Sequence, residues 1–484
     1  MTALFNFLAD RNTRLVLAWL LLAGAIAQRG YAAWVNFEVP DRPFKNDGHT
    51  SIDFGGQWMM GRLLVLGHGR NLYSRETHRR VANESYPRAD EPAHQTERDG
   101  DKLVACYVGP ADDPVGGPLY PPVHAFVMAP VALISDPYNA YRTTQVLLFG
   151  CLALAGLGVR YLTRGRWWWV TAAAFLLLYP GNRGGLDLAQ NCGVTLTLLI
   201  WGWAFLVRGR PALGGFVLGL LAFKPVWAVS FLVALIVLQH WRAAFAMAAT
   251  GAAAVLLTVP VVGVQVWFDW LHVGGLAAAE YNVDQNWIFL SRDLFGIPRR
   301  IMLDFEGGKA VNDRPSVALV GWALWLFVAG VTALVAWRRR TADRLTGPLP
   351  ALVLLAAWMC CYRFMYYDAA VAAIGVVVLF ADPRPYFRRA WWPARSWAAG
   401  FVGLMLVFEN LTVPLNVEMT ASVMALRKKE TAPDGTTTVK APTIYLASGD
   451  NYPWDTVAVF LLWAWCAVTL VRTPAPNRLR NKSE

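Results

Sequence analysis

The sequence has little charge for its length. Only 16% of its 484 residues are charged, whereas 56% are hydrophobic, and soluble domains are about one-quarter charged. The mean hydropathy is accordingly positive, at +0.35. This composition excludes an ordinary soluble domain. It predicts an all-α polytopic membrane protein, because helices satisfy their own backbone hydrogen bonds inside a bilayer.

Cysteine is scarce, and several well-known motifs are absent. The chain has 6 cysteines and no CxxC pair, and only Cys106 lies in a hydrophilic stretch, so no disulfide framework is expected. No Walker A loop, Rossmann glycine pattern or HExxH zinc motif occurs. The adjacent Asp112 and Asp113 have no histidine at ligand spacing. The sequence therefore predicts neither a metal site nor a cofactor.

Basic residues are in surplus, and the formal net charge is +11. The arginines cluster in short segments between apolar stretches, which is typical of cytoplasmic membrane loops and does not indicate nucleic-acid binding. Arg11 and Arg14 precede the apolar stretch 15–35. Because no cleavable signal pattern occurs, we interpret this stretch as a retained first span that runs from the cytoplasm outward.

Apolar segments recur along the chain without an internal repeat or a separate soluble domain. We predict roughly 11 to 13 of them in one transmembrane domain, 1–484, several being shorter than the roughly 20 residues that cross a bilayer. Short or broken segments are expected to be re-entrant or to line a cavity. Within 119–160, either one of two segments is re-entrant or the count shifts. The predicted segments are 15–35, 120–135, 143–161, 167–179, 190–207, 211–223, 226–239, 243–263, 316–337, 348–362, 368–381, 398–413 and 454–471.

Three longer stretches of mixed charge, 36–118, 264–315 and 414–453, are predicted to be outer loops. The first contains Asp53, followed by two glycines and an apolar run over 58–66. This run predicts an amphipathic helix that lies on the bilayer surface and holds Asp53 near the headgroups. The alternative interpretation is that Asp53 only caps this helix.

Polar groups at membrane depth are costly, so each one calls for a reason. Lys224 lies inside an apolar stretch and is followed by Pro225, which breaks the helix. We interpret it as a ligand for an anion such as phosphate, and the alternative is a lysine that snorkels at a helix end. Arg363 and Asp368 lie between two apolar segments and are candidates for the same cleft, although they could simply form a buried ion pair.

Other polar residues in these segments are candidates for a substrate cleft. Gln190 and Asn191 open an apolar segment, where they could equally serve as a helix cap with interhelical hydrogen bonds. Tyr120 precedes a Pro-Pro pair that predicts a helix start with tyrosine at the interface. The full set of predicted cleft residues is Gln57, Tyr120, Gln190, Asn191, Tyr366, Tyr367 and Asp368.

Several short motifs occur in a fixed order along the chain. They are Asp53 after the first span, Tyr120-Pro121-Pro122 before an apolar stretch ending in Ala129-Pro130, then Gln190-Asn191, Lys224-Pro225 and Trp241-Arg242. In this order they resemble glycosyltransferase family 87, integral membrane enzymes of the GT-C fold. The resemblance extends from the first span to about residue 381, and its specificity comes from the order of the motifs.

The resemblance implies an inverting transfer from a lipid-linked sugar. It assigns Asp53 as the catalytic base and Lys224 as the lysine near the donor phosphate. The family usually carries a histidine in a late outer loop, and the corresponding stretch here, 363–368, has none. We expect Arg363 to assist Lys224, because a polyprenyl phosphate leaves readily once its charge is stabilised. One base and cations then suffice, without a second carboxylate or a metal.

The expected activity is a hexosyltransferase, mannose-like, that uses a polyprenyl-phosphate sugar and an extracytoplasmic lipid or glycan acceptor. The expected location is the plasma membrane, with the site on its outer side. A transporter or lipid flippase is the alternative from another class, but transporters usually show paired helix breaks. No second copy of the Lys224-Pro225 break occurs. A ligase of cell-surface glycans would use the same kind of donor.

Overall fold

The computed structural model describes residues 10–38, 50, 53–86, 103, 107–110, 112–306, 308–312, 314–339, 345–382, 396–406, 429–431, 437–439 and 453–473. The predicted outer loop 414–453 therefore lies outside the described residues, apart from 429–431, 437–439 and residue 453.

The described chain is almost entirely helical. Its α-helices are α1 Arg11–Glu38, α2 Asp53–Val65, α3 Arg75–Ser85, α4 Pro122–Ala132, α5 Pro137–Leu162, α6 Trp169–Leu178, α7 Asn182–Asp187, α8 Cys192–Val207, α9 Pro211–Gly219, α10 Pro225–Val237, α11 Trp241–Val262, α12 Gln265–Val283, α13 Gln285–Leu290, α14 Gly296–Met302, α15 Pro315–Arg338, α16 Pro348–Met359, α17 Ala373–Ala381, α18 Ser396–Leu406 and α19 Trp454–Arg472. The 3₁₀ turns are Gly69–Asn71, Leu220–Phe223 and Tyr366–Ala372. Two small antiparallel pairs join β1 Phe305–Glu306 to β2 Lys309–Ala310 and β3 Lys429–Thr431 to β4 Thr437–Val439.

Five of these helices are long and apolar enough to cross a membrane, namely α1, α5, α11, α15 and α19. The remaining apolar helices have 10–17 residues, and they coincide with the shorter predicted segments. The prediction of an all-α polytopic membrane protein with short apolar segments is confirmed. The predicted outer loop 264–315 contains more structure than its name suggests, because α12 alone covers 19 residues of it.

Within 119–160, two helices of very different length follow one another. α4 has 11 residues and spans about 16 Å at 1.5 Å per residue, which is about half of a bilayer's hydrocarbon core. α5 has 26 residues and is long enough to cross. Of these two segments, α4 is therefore the one that is too short to cross a bilayer.

The prediction of a surface helix after Asp53 is wrong. α2 begins at Asp53 itself, and nine of its 13 residues are buried, from Phe54 through Gly61 and again at Leu63. It packs along α4 so closely that a Cβ on Gly61 would lie 2.8 Å from the backbone of Met128. The apolar run over 58–66 predicts a helix with one apolar face, but the eight consecutive residues 54–61 are all buried. The buried surface of α2 therefore covers all sides of the helix. α2 is consequently a core helix.

Candidate active site

Four helices begin close to one another at one end of the molecule. α2 begins at Asp53, α4 just after Tyr120, α8 just after Asn191 and α10 just after Lys224, and hydrogen bonds link these four starting points in one network. The amino-terminal end of a helix carries a partial positive charge. The convergence therefore makes a region that favours carboxylates and other anions.

Asp53 occupies the first turn of α2 and is partly exposed. Its carboxylate oxygen Oδ1 accepts a long hydrogen bond of 3.4 Å from Nε2 of Gln190. One turn further along α2, Gln57 directs its own Nε2 toward the backbone oxygen of Asp53, at 3.5 Å. A partly exposed carboxylate in the first turn of a helix can reach a substrate hydroxyl.

The three amide side chains of Gln57, Gln190 and Asn191 form what we call the amide network. Nε2 of Gln57 donates to Oε1 of Gln190 at 3.3 Å, and Nδ2 of Asn191 donates to Oε1 of Gln57 at 3.3 Å. The hydroxyl of Tyr120 donates to Gln190 at 2.6 Å. Asn191 is the residue before α8, but its side chain makes no capping hydrogen bond. Of the structural alternative, the helix cap is therefore absent at Asn191, whereas the interhelical hydrogen bonds are present.

Lys224 closes the network on the side opposite Asp53. Its ammonium Nζ lies 2.7 Å and 2.9 Å from the two carboxylate oxygens of Asp368 and 3.0 Å from Oδ1 of Asn191. The residue is only 8% exposed, so it does not snorkel. Its position follows from the sequence, because the 3₁₀ turn before it and Pro225 at the start of α10 interrupt the helix as predicted.

Asp368 is 2% exposed, and its backbone oxygen accepts the indole N–H of Trp358 at 3.0 Å. The alternative in which Asp368 pairs with Arg363 is wrong, since Lys224 is its ion-pair partner. Arg363 instead donates to the backbone oxygen of Ala278 and, at 2.9 Å, to Oδ1 of Asn282. The structure therefore brings Asp53, Lys224 and Asp368 into one network and places the guanidinium of Arg363 on α12.

Two tyrosines stand beside the buried ion pair. The rings of Tyr366 and Tyr367 are 5.6 Å apart and meet edge to face. The ammonium of Lys224 lies 5.6 Å from the ring centre of Tyr367, and the guanidinium of Arg292 lies 5.9 Å from that of Tyr366. Both tyrosines are partly exposed, as is Tyr120, and they lie beside more deeply buried groups. We call these buried groups, together with Asp53, the floor of the site: Asp53, Gln57, Gln190, Asn191, Lys224 and Asp368.

His124 is a residue of this region that the sequence analysis did not assign to it. It is 0% exposed, and its ring stacks on that of Tyr120 at 4.1 Å between centres with an angle of 16°. Neither ring nitrogen has a hydrogen-bond partner among the described residues. The sequence contained one indication of this position. His124 precedes Met128 by one helical turn, so both lie on the same face of α4, and Met128 faces α2. That signal becomes useful only once α2 and α4 are known to be paired.

Arg292 is a second residue that the sequence did not reveal. It is 3% exposed, and its Nε donates to Asp455 on α19 at 2.9 Å. Its backbone N–H donates to the oxygen of Phe364 at 3.0 Å. These contacts attach the stretch that carries Tyr366 and Asp368 to the last span. Residues 292 and 455 are 163 positions apart, and no local pattern connects them.

Comparison with protein families gives a match consistent with this geometry. The model of glycosyltransferase family 87 matches residues 119–362, which is just over half of the 484-residue chain. A comparison with curated proteins and one with solved structures found no match. The matched range includes Tyr120, the amide pair and Lys224, and it excludes Asp53 and Asp368. With its multiple membrane-spanning helices, the chain belongs to glycosyltransferase family 87 and is a multi-pass membrane glycosyltransferase.

Proposed function

We propose that the enzyme transfers a hexose, mannose-like, from a polyprenyl-phosphate sugar to a lipid or glycan acceptor. The observation that carries this proposal is the arrangement of the floor. A partly exposed carboxylate, Asp53, faces uncharged amides, and a buried ion pair closes the far side. Such a floor offers one base and several hydrogen-bonding groups, which suits the displacement of a good leaving group by a hydroxyl.

Asp53 is the proposed base. As the acceptor oxygen attacks the anomeric carbon, its proton passes to the carboxylate of Asp53. The bond between that carbon and the phosphate oxygen breaks, and its electron pair leaves with the polyprenyl phosphate. Attack from the face opposite the leaving group inverts the anomeric configuration. One carboxylate suffices, since the phosphate needs no proton from a second acid in order to leave.

The amides and tyrosines are the proposed sugar-binding groups. Gln57, Gln190 and Asn191 present both donors and acceptors, as hydroxyl groups require, and Tyr120, Tyr366 and Tyr367 supply partly exposed aromatic surface. The network also fixes the orientation of Gln190, because a flipped amide would turn its oxygen toward the carboxylate of Asp53. Preorganised dipoles of this kind stabilise a charge that develops during the reaction.

Lys224 is proposed to lie on the side of the leaving phosphate. Its ammonium is held by Asp368 and Asn191, so it can offer a hydrogen bond if a phosphate oxygen replaces that of Asn191. Asp368 offsets most of its charge, however. Arg363, the second cation expected at the phosphate, has its guanidinium against α12, where it contacts Ala278 and Asn282.

The outer face of the plasma membrane is the proposed location of the site. α8 begins at the site after Asn191 and ends just before Arg208 and Arg210, and α10 runs from Lys224 toward Arg242. Both helices therefore carry arginine at the end away from the site. Basic loops remain in the cytoplasm, so the site lies toward the opposite side. The lipid tail of the donor would lie among the short helices.

The proposal is tested with the purified full-length enzyme in lipid nanodiscs. A panel of radiolabelled polyprenyl-phosphate hexoses and nucleotide hexoses is supplied together with extracted membrane lipids and glycans. We expect labelled product only with the polyprenyl-phosphate hexoses and not with the nucleotide hexoses. NMR should show that the anomeric configuration of the product is inverted. Transfer from nucleotide sugars, or retention of configuration, would contradict the proposal.

A further inference from the structure

The floor of the site has no surplus positive charge. Within the hydrogen-bond network described above, the cation Lys224 faces the carboxylate of Asp368, and Asp53 adds a second carboxylate. A lipid phosphate carries one negative charge while it is esterified to the sugar and two after it leaves. The proposed reaction therefore needs positive charge from another part of the cleft.

Four guanidinium groups lie near one another around Asn282 and Ser291. We call them the arginine edge: Arg292, Arg299, Arg300 and Arg363. Two of them converge on a single atom. Nη2 of Arg299 and Nη2 of Arg363 donate to Oδ1 of Asn282 at 2.8 Å and 2.9 Å. One neutral amide oxygen thus receives hydrogen bonds from two cations, which is how two arginines commonly hold an oxygen of an anion.

The backbone holds this arrangement in place. Arg363 has a left-handed conformation, with φ of 53°, which is costly for a residue with a side chain. Residues 291 and 292 hold this strained turn in place. The backbone oxygen of Phe364 accepts a hydrogen bond from the backbone N–H of Arg292, and Met365 forms a β-bridge with Ser291. The conformation aims the Arg363 guanidinium at α12, where Asn282 lies.

The carboxylates near the arginine edge offset only part of its charge. Asp455 pairs with Arg292, and Asp293 accepts the backbone N–H groups of Phe295 and Gly296 with Oδ1. Among the contacts of the described residues, four cations therefore face two carboxylates. Burial, and to a smaller extent the neighbouring Arg292, lowers the pKa of Arg300 to about 9, whereas Asp455 and Asp293 act in the opposite direction.

Aromatic rings connect the arginine edge to the floor. The guanidinium of Arg363 lies 5.4 Å from the ring centre of Tyr281, and Arg292 lies over Tyr366, which contacts Tyr367 beside Lys224. The rings of Tyr366 and Tyr367 thus lie between Lys224 in the floor and Arg292 in the arginine edge. A sugar could occupy the floor while a phosphate attached to it reaches the edge.

We propose that Arg299 and Arg363 bind a phosphate ester carried by a lipid, and that Oδ1 of Asn282 marks the position of one phosphate oxygen. The source of the phosphate rests on the proposed function, in which it belongs to the polyprenyl donor, and an anionic phospholipid is the other source of the same chemistry. Binding releases Asn282 and replaces a neutral acceptor with a charged one, so both arginines gain a stronger partner.

The test measures binding without catalysis. The probes are farnesyl phosphate, lysophosphatidylglycerol and uncharged farnesol, and their affinities for the full-length protein in detergent are measured by microscale thermophoresis. Arg299→Gln and Arg363→Gln remove the cations. Asn282→Asp places a carboxylate where the phosphate would lie and keeps both arginines paired, so it should fold at least as well as the wild type. Arg314→Gln is the matched control, since Arg314 pairs with Asp304 on the exposed surface.

We expect Arg299→Gln, Arg363→Gln and Asn282→Asp each to weaken farnesyl phosphate binding about 10-fold or more, with farnesol and Arg314→Gln showing no change. The same losses for lysophosphatidylglycerol alone would keep the site and assign it to a phospholipid. Unchanged binding of both phosphates in all three variants, or an equal loss in Arg314→Gln, would overturn the site. The assay is independent of transfer, so a failed glycosyltransfer proposal would leave these affinities as they are.

Discussion

The floor of the site and the arginine edge differ in how their charges are balanced. The floor holds one ammonium against two carboxylates, and amide groups that carry no charge separate them. The edge holds four guanidiniums against two carboxylates, and two of those guanidiniums share a neutral oxygen. The floor is thus suited to proton transfer and to sugar hydroxyls and offers a phosphate only the paired ammonium of Lys224, whereas the edge offers an anion two guanidiniums whose shared partner is neutral.

This difference assigns separate tasks to neighbouring regions. A base works best where no cation holds it ionised too firmly, and a phosphate is bound best where cations are in surplus. In this division, Tyr366 and Tyr367 lie between Lys224 in the floor and Arg292 in the arginine edge. The following changes should either abolish or sharpen the contrast.

The largest expected effect is on the base itself. Asp53→Asn keeps the shape of the side chain and removes its ability to accept the acceptor's proton, so kcat should fall by about 10²–10⁴-fold. The rate is measured with labelled donor at saturation, and the thermal midpoint is measured in parallel. Asp187→Asn is the matched control, because Asp187 is another partly exposed carboxylate nearby, on α7. An equal loss in that control would remove the distinction of Asp53.

The next effect concerns the ion pair in the floor. Lys224→Met leaves the buried carboxylate of Asp368 unpaired and should cost about 3–5 kcal/mol of stability. Replacing both residues, as in Lys224→Met with Asp368→Leu, should restore most of the thermal midpoint. The double variant should still transfer sugar about 10-fold or more slowly, since Lys224 is proposed to contact the leaving phosphate. A double variant with wild-type rate would reduce the pair to a structural role.

Outside both regions, His78 provides a buried histidine whose two ring nitrogens contact Leu72 and Tyr107. Burial lowers its pKa to about 4, whereas the unfolded chain has a value of about 6.5. The unfolded state therefore binds the proton first as the pH falls. Stability should decline between about pH 6.5 and 4, by about 3 kcal/mol in total.

Thermal midpoints of the wild type and His78→Gln across that pH range isolate the contribution, since all other groups are common to both proteins. The wild type should lose more stability than the variant on acidification. Parallel curves for the two proteins would show that His78 does not titrate in this window.

The smallest effect is predicted at His124, the contrasting histidine of the floor. Its ring nitrogens lack partners among the described residues, and an unsatisfied buried group costs about 1–3 kcal/mol. His124→Phe keeps the stack on Tyr120 and should raise the thermal midpoint, whereas His124→Ala should lower it by opening a cavity. If His124→Phe destabilises the protein as much as His124→Ala does, a bound water or substrate group satisfies the imidazole.

The sequence allowed the class of the protein and most of its apolar helices to be predicted, since hydropathy and loop arginines act locally. The break at Lys224 was also predictable, because Pro225 dictates it. The partner of Lys224 was not, as any of several buried carboxylates could have served. Asp368 takes that role because of how α10 and the 366–372 turn pack.

The errors share one cause. The run over 58–66 has the composition of a surface helix or a core helix, and only its neighbour α4 decides between them. The five-residue spacing of Arg363 and Asp368 allows an ion pair between them, yet the left-handed backbone of Arg363 turns its side chain toward α12. Contacts between distant parts of the chain, such as Arg292 with Asp455, leave no periodic signal.

Binding of the donor to the Asp53→Asn protein tests the division between floor and edge most directly. The purified variant is incubated with radiolabelled polyprenyl-phosphate hexose and acceptor, and bound donor and product are counted in the same sample. We predict donor binding with the affinity of the wild type and almost no product. Loss of donor binding, or product at the wild-type rate, would contradict the assignment of proton transfer to Asp53 and phosphate binding to the arginine edge.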